Sequence, residues 1–534
     1  MRKIYVVFLL TLAFIILGSS LLLVSANKNL STLLKKRVEK GLIKAPFLLS
    51  RFYNLQDYQL VWSEDGLLTS NAFELINALI QADREGLNPQ EYHLTEIMAI
   101  LEEIKNGKRD NHQLVDLDIL LTDAYFTYGT HLLRGRIDHK SLFPEYGNFD
   151  LVDILRDALA KDRIEESLQS LLPLQPAYGG LREALAWYRY ISKMGGWPAI
   201  PAGPKLKKGD YGERVALLRK RLLVSGDLEE RISHDDYLFD QSLENALKRF
   251  QLRHGLEIDG VVGDRTLEAL NVPVEERICQ LKLNMERFRW LPQEPGGRYI
   301  IVNIPDFVLK VIEKERPVLS MRVIVGKQDR QTPVFSDEMT HLVINPSWKI
   351  PENIFKNDIL PKVRKDSGYL SDQNIRVFED WGDDAREIPS QLIDWDRVDP
   401  ETFKYKLKQD PGPHNALGRL KFIFPNEYKV YLHDTPHQQL FADPLRTYSS
   451  GCIRIEKPIE LAEYLLKDNP GWTGEDILAE IEKGEEKTIY LPEPVPVYLV
   501  YWTAWVDMDG MINFRDDIYE RDKTLAEAFS KAVE

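Results

Sequence analysis

The sequence predicts a multidomain α+β protein: an α-helical scaffold, a small three-helix unit, and a mainly β domain of β-sandwich type that carries a capping insertion. Three observations support this. Leu117, Leu121, Ala124, Tyr125, Tyr128 and Leu132 recur with the 3.6-residue period of a buried helix face. Closely spaced glycines (Gly255, Gly260, Gly263) punctuate short amphipathic pieces in the middle of the chain. From Tyr299 onward, β-rich runs such as Tyr299-Ile300-Ile301-Val302-Asn303-Ile304 and Met321-Arg322-Val323-Ile324-Val325-Gly326 follow one another at close spacing. The 534 residues give room for three or four domains, and 44% hydrophobic with 28% charged residues is ordinary for globular protein.

Taken in order, residues 1–26 begin with Arg2 and Lys3 and continue as a chargeless apolar stretch. Residues 4–24 approach the length of a membrane span, and the basic end is expected to stay cytoplasmic. Val24-Ser25-Ala26 also resembles a small-residue cleavage site, so this segment is either a retained anchor or a removed signal peptide. Both readings export the remainder. Residues 27–46 are polar and basic and read as a linker, and 47–200 form the helical scaffold. A Pro/Gly-rich hinge from Pro198 to Pro204 opens a unit at 205–273. There, Val215, Leu218 and Leu222 line one helix, while Leu243, Ala246, Leu247 and Phe250 line another that Asp240 is placed to cap. Residues 274–297 read as a connecting helix.

The β domain covers 298–491, interrupted over about 351–417 by a polar, Trp- and Pro-containing stretch. A loop of that length without structure is unusual in a compact domain, and such insertions often serve as lids. Strands resume at Leu420-Lys421-Phe422-Ile423-Phe424 and Tyr428-Lys429-Val430-Tyr431-Leu432. After Cys452 a helix is expected, with Pro458 in its first turn. Residues 492–534 are expected to pack back on the scaffold.

Composition excludes some functions. A net charge of −14 argues against a nucleic-acid backbone as the main partner. The histidines are scattered without metal-ligand spacing, no glycine-rich phosphate loop is present, and no cofactor is implied. Two cysteines make no disulfide framework. Cys279 sits beside a helical stripe of Ile278, Leu281, Met285 and Phe288 and reads as structural.

Cys452 is different. It follows a glycine in the polar turn Tyr448-Ser449-Ser450-Gly451-Cys452-Ile453-Arg454, one strand and one loop after Tyr431-Leu432-His433-Asp434-Thr435-Pro436. A thiol needs a nearby base to become a nucleophile at neutral pH, and His433 is placed to be that base. His437 is a weaker candidate. The combination points to acyl transfer through a thioester. Adjacent strand residues face opposite ways, so a main-chain carbonyl is a better orienter for His433 than the Asp434 carboxylate. Main-chain N–H groups around Gly451 and Cys452 are candidates for an oxyanion hole. Tyr431 shares a strand face with His433 and is a groove candidate. Arg454 either pairs a substrate carboxylate or holds the loop, and Trp348 either lines the pocket or packs in a core.

These residues resemble the L,D-transpeptidase catalytic domain (the YkuD type). The matching pieces are His433, the motif Ser449-Ser450-Gly451-Cys452-Ile453-Arg454, and Gly326 with Gln331-Thr332-Pro333. Many members carry a histidine where Ser450 stands, which leaves His433 as the main base. Histidine before cysteine is the reverse of the papain-like order. The unit at 205–273 resembles a peptidoglycan-binding domain through Leu206-Lys207-Lys208-Gly209-Asp210, Ala246-Leu247-Lys248-Arg249-Phe250-Gln251 and Asp259-Gly260-Val261-Val262-Gly263. The whole arrangement is similar to the large Gram-negative, YcbB-like branch of the family.

The resemblance implies an exported enzyme, periplasmic and held at the inner membrane. It would form 3→3 peptidoglycan cross-links through a Cys452 thioester, releasing the terminal D-Ala of a tetrapeptide stem to an acceptor amine. It also implies acylation by carbapenems. An L,D-carboxypeptidase would use the same residues with water as acceptor. A non-catalytic wall-binding anchor would not require the Cys452–His433 pair.

Overall fold

The computed structural model describes residues 27–40, 44–106, 110–137, 149–229, 235–293, 295–382 and 384–531. The expected apolar leader lies outside the described residues, and among these no helix is long and apolar enough to cross a membrane.

The helical stripe of the N-terminal portion forms α1 (Asn111–Arg134), with Leu117, Leu121, Ala124, Tyr125, Tyr128 and Leu132 all buried. A capping box between Asp110 and Gln113 starts the helix. Residues expected to be a linker are instead helical over Asn27–Lys40. Leu34 and Val38 recur at a four-residue spacing, which gives this basic stretch one apolar face, and that face packs into the scaffold core. A second long helix, α2 (Pro176–Lys193), presents Tyr178, Leu181, Leu185 and Tyr188 to a separate cluster.

Three helices follow: α3 (Glu213–Val224), α4 (Gln241–Arg253) and α5 (Asp264–Asn271). They enclose a small core containing Val215, Leu218, Leu222, Leu243, Leu247 and Phe250. Asp240 caps α4 as expected, accepting from the Leu243 N–H at 2.9 Å. The fully buried Arg253 guanidinium pairs with Asp227 at 2.6 Å, satisfying a cation that burial would otherwise disfavour. The connecting helix α6 (Val274–Arg289) then reaches the scaffold: Arg289 donates to Tyr178 Oη at 2.8 Å, and Glu286 accepts from the Arg136 N–H at 2.6 Å. Cys279 is exposed on α6, one position off the buried stripe.

The β domain is a single nine-stranded sheet. In chain order its strands are β1 (Arg298–Asn303), β2 (Val308–Glu313), β3 (Arg316–Gly326), β4 (Phe335–Ile344), β5 (Leu420–Ile423), β6 (Leu432–His433), β7 (Thr447–Ser449), β8 (Ile453–Ile455) and β9 (Lys487–Val500). The long strand β3 pairs with β2 along its first half and with β8 near its end, so the two layers of the expected sandwich are one sheet that closes on itself. Closure leaves few free edges. Its interior is apolar (Ile300, Val302, Val323, Leu342, Phe422, Leu432, Ile453) and is plugged by Leu461, Ala462 and Leu465 of α7 (Pro458–Leu466).

The insertion is a folded subdomain rather than a loop. Trp348–Lys349, Lys406–Gln409, Ile375–Phe378 and Glu387–Ile388 make a four-stranded sheet. Short helical pieces cover it around a core of Ile350, Phe355, Leu360, Val377, Trp395 and Leu407. Asn415 ties its two stems together by donating to the Pro346 carbonyl at 3.0 Å. After β9, a hairpin of Ala504–Val506 and Ile512–Phe514 packs against α2 and α6, and α8 (Arg521–Lys531) closes the chain.

Candidate active site

Alternation along three adjacent strands builds the site. Phe422, Leu432 and Ile453 point into the barrel. Their neighbours Lys421, Tyr431, His433, Cys452 and Arg454 therefore face outward together. β6 and β8 run parallel, with Leu432 opposite Ile453 and His433 opposite Arg454. The Ile453 N–H donates to the Tyr431 carbonyl at 3.0 Å, which places Cys452 beside Tyr431 at the strand mouth.

His433 is only 4% exposed, and its Nδ1 lies 2.6 Å from the Asp434 main-chain carbonyl. A carbonyl can only accept, so the neutral ring carries its proton on Nδ1, and the Leu417 backbone is a second main-chain partner of the imidazole. Burial, reinforced by the Arg454 guanidinium, pushes the imidazole down to about 3. It is therefore neutral at physiological pH. The orienting group is the carbonyl, in line with the strand argument. The Asp434 carboxylate is turned away to accept from the Arg419 N–H at 2.8 Å and the Thr435 N–H at 2.7 Å, which fixes the loop whose carbonyl holds the ring. His437 sits exposed at the rim.

The Cys452 thiol is half-buried, with Sγ 3.8 Å from the Lys429 carbonyl. Burial raises its pKa, and the Tyr431 backbone, Lys421 and Arg454 act in the opposite direction. The net effect holds the thiol above its ordinary value.

The turn before it is held by two hydroxyls. Ser449 Oγ donates to the Cys452 carbonyl at 2.5 Å and accepts from the Gly451 N–H at 3.1 Å. This removes the Gly451 N–H from the expected oxyanion donors. The Cys452 N–H makes no hydrogen bond among the described residues. Gly451 has φ +113°, a region open to glycine. Thr332 Oγ1 donates to the Gly451 carbonyl at 2.8 Å and accepts from the Gly326 N–H at 2.9 Å. The Gly326–Thr332 pattern thereby acquires a physical meaning: a Cβ at Gly326 would lie 2.1 Å from the Arg330 carbonyl oxygen.

Ser450 is tied to the insertion. Ser450 Oγ accepts from Arg330 at 2.9 Å, and the same guanidinium pairs with Asp358 in the insertion. Trp348 packs, partly buried, against the core of the insertion. Tyr431 remains on the thiol face, with the Lys421 ammonium 4.1 Å from its ring centroid. Lys421 is the site residue that sequence reasoning missed. Only the pairing of β5 with β6, which sets Lys421 opposite His433, brings it here.

Residues 297–484 match the family described as L,D-transpeptidase catalytic domain. The β domain is an L,D-transpeptidase catalytic domain. Alongside it, residues 211–270 match the family "Putative peptidoglycan binding domain" and residues 48–185 match "Scaffold domain". A protein from Haemophilus influenzae named "Putative L,D-transpeptidase" is 36% identical over 257 residues, covering 47% of this chain and 50% of that protein. The chain thus spans about half the length of this curated relative. Among solved structures, the L,D-transpeptidase from Xylanimonas cellulosilytica is 16% identical, covering 56% of this chain and 99% of that one with a TM-score of 0.19. An LD transpeptidase solved in complex with imipenem is 10% identical, covering 39% of this chain and 60% of that one with a TM-score of 0.18. The L,D-transpeptidase domain of this chain is therefore assigned from its family match, and the geometry of Cys452 and His433 stands beside that assignment.

Proposed function

We propose that the protein forms 3→3 peptidoglycan cross-links through a Cys452 thioester, as a member of the YcbB-like branch working in the periplasm from an inner-membrane attachment. The observation that carries the reading is the His433 Nδ1–Asp434 carbonyl bond, which orients a neutral imidazole on the sheet face that also bears the Cys452 thiol. The peptidoglycan-binding family match supports the polymer as substrate.

In the proposed reaction Nε2 takes the Sγ proton as sulfur attacks the carbonyl of the third stem residue. The Cys452 N–H donates to the oxyanion. Collapse breaks the bond to the terminal D-Ala, whose amine leaves with the proton from His433, and a thioester remains. An acceptor stem's side-chain amine then gives its proton to Nε2 and attacks the thioester. A new amide forms and Sγ leaves as the thiolate, which the imidazolium reprotonates. Carbapenems acylate the same sulfur by ring opening at their β-lactam carbonyl.

The test is incubation with tetrapeptide-bearing muropeptides and mass analysis of the products. Dimers and free D-Ala are expected from the native protein, with neither from Cys452→Ala. Tripeptide without dimer would assign the L,D-carboxypeptidase reaction instead.

A further inference from the structure

Register places Lys421 opposite His433, and His433 opposite Arg454, across β5, β6 and β8. Three outward side chains on adjacent strands thus form one row, with a neutral imidazole between two cations. Neither cation makes an ion pair within 4 Å among the described residues, and Glu486 acts on Lys421 only from farther off. Arg454 Nε is buried without a hydrogen-bond partner. Both side chains are part-buried, and two like charges held in one row with Arg454 Nε shut off from solvent are unfavourable without a counter-charge. Such an arrangement is relieved by an anion that spans the row.

We propose that Lys421 and Arg454 form a site for a carboxylate of the donor peptide, drawing it across His433 so that its acyl carbon meets Cys452. The proposal deepens the transpeptidase reading and rests on it for the identity of the peptide. Both cations titrate below their ordinary values, chiefly through burial, and the Cys452 sulfur pulls each back up. The field of the pair therefore reaches the thiol position. Lys421 also lies over the Tyr431 ring, a contact that holds the ammonium at the mouth. The carboxylate is either the stem's C-terminal one, on the residue that leaves, or a side-chain carboxylate on the attacked residue.

The site can be tested at the thiol without peptidoglycan. Iodoacetate and iodoacetamide form the same S–C bond and expel the same iodide, and differ in charge. In a Cys279→Ser background, which removes the other thiol, alkylation of Cys452 is followed by mass. The native row should favour the anion over the neutral reagent. Lys421→Met and Arg454→Gln should each lower that ratio by about threefold to tenfold, and about 1 M salt should lower it in the native protein. Lys421→Arg should keep the ratio. Equal ratios in all variants would overturn the site, and circular dichroism on each variant separates this outcome from misfolding.

A second arm uses donor peptides amidated either at the C-terminus or at the side-chain carboxylate. The amide that abolishes the dependence on Lys421 identifies the carboxylate bound, and dependence unchanged by both amides overturns the proposal. If iodoacetate is favoured but no peptide reacts, the anion site stands and the transpeptidase reading fails. If peptides react while the reagent ratio ignores Lys421 and Arg454, the reverse holds.

Discussion

Arg330 donates to the Ser450 hydroxyl at 2.9 Å while its guanidinium also pairs with Asp358, so one side chain joins the turn before Cys452 to the inserted subdomain. Ser450→Ala removes one hydrogen bond, worth about 1 kcal/mol, and leaves the ion pair. Arg330→Ala removes both. The first variant should lose less than about tenfold in Cys452 acylation. The second should lose more, and should show faster hydrogen exchange in residues 355–359. Equal exchange in the two proteins would mean that the ion pair does not hold the insertion down.

His433 is already neutral above about 3, so its ordinary titration should be missing from the activity profile. Acylation by a carbapenem should rise with pH through neutrality, governed by a thiol that burial holds above its usual value. An inflection near 6.5 in the acid limb would contradict the buried, carbonyl-bound imidazole. His433→Ala should lower acylation by about a hundredfold to ten-thousandfold.

Thr332 is fully buried and bridges Gly326 to Gly451 through one hydroxyl. Thr332→Val keeps the shape and strands a buried N–H and a carbonyl, a loss of about 1–3 kcal/mol. Because the carbonyl belongs to the residue before Cys452, acylation of that thiol should fall by up to about a hundredfold. Thr332→Ser should restore most of it. A valine variant with native acylation rates would refute the bridge.

His131 in the scaffold is pushed down to about 3 by burial and by nearby Arg136, as is His433 by its own surroundings. Below about 6.5 the unfolded chain binds protons that the folded one refuses, so stability falls as pH drops from about 6.5 toward 3. The thermal midpoint should be lower at pH 5 than at pH 7. His131→Gln should shrink that difference, since glutamine does not titrate. A difference of unchanged size would show that His131 does not contribute.

The scaffold stripe and the outer bounds of most barrel strands were legible because each is a local period against a single apolar core. Leu117 to Leu132 and Ile300 with Val302 carry that signal without help from distant residues. The insertion was not legible as a sheet. Its strands run two to four residues, and their charged residues point outward while single residues such as Val377 and Leu407 are buried. Cys452 and His433 were found from residue type and turn chemistry. Lys421 and Arg330 were not, because their roles come from strand register and from a contact that crosses to Asp358. The first half of β4, from Phe335, escaped notice for a similar reason. Asp337 and Glu338 interrupt its apolar pattern, and its pairing partner is the distant β9.

Strand β9 lies between β4 and β1, so the barrel cannot close until residues near 500 are available. The apolar side of α2 likewise waits for Trp505 and Phe514. A chain emerging from the ribosome in sequence order therefore makes its histidine and its cysteine well before it can hold them in register. The face that bears Cys452 and His433 therefore stays unassembled until β9 has been made.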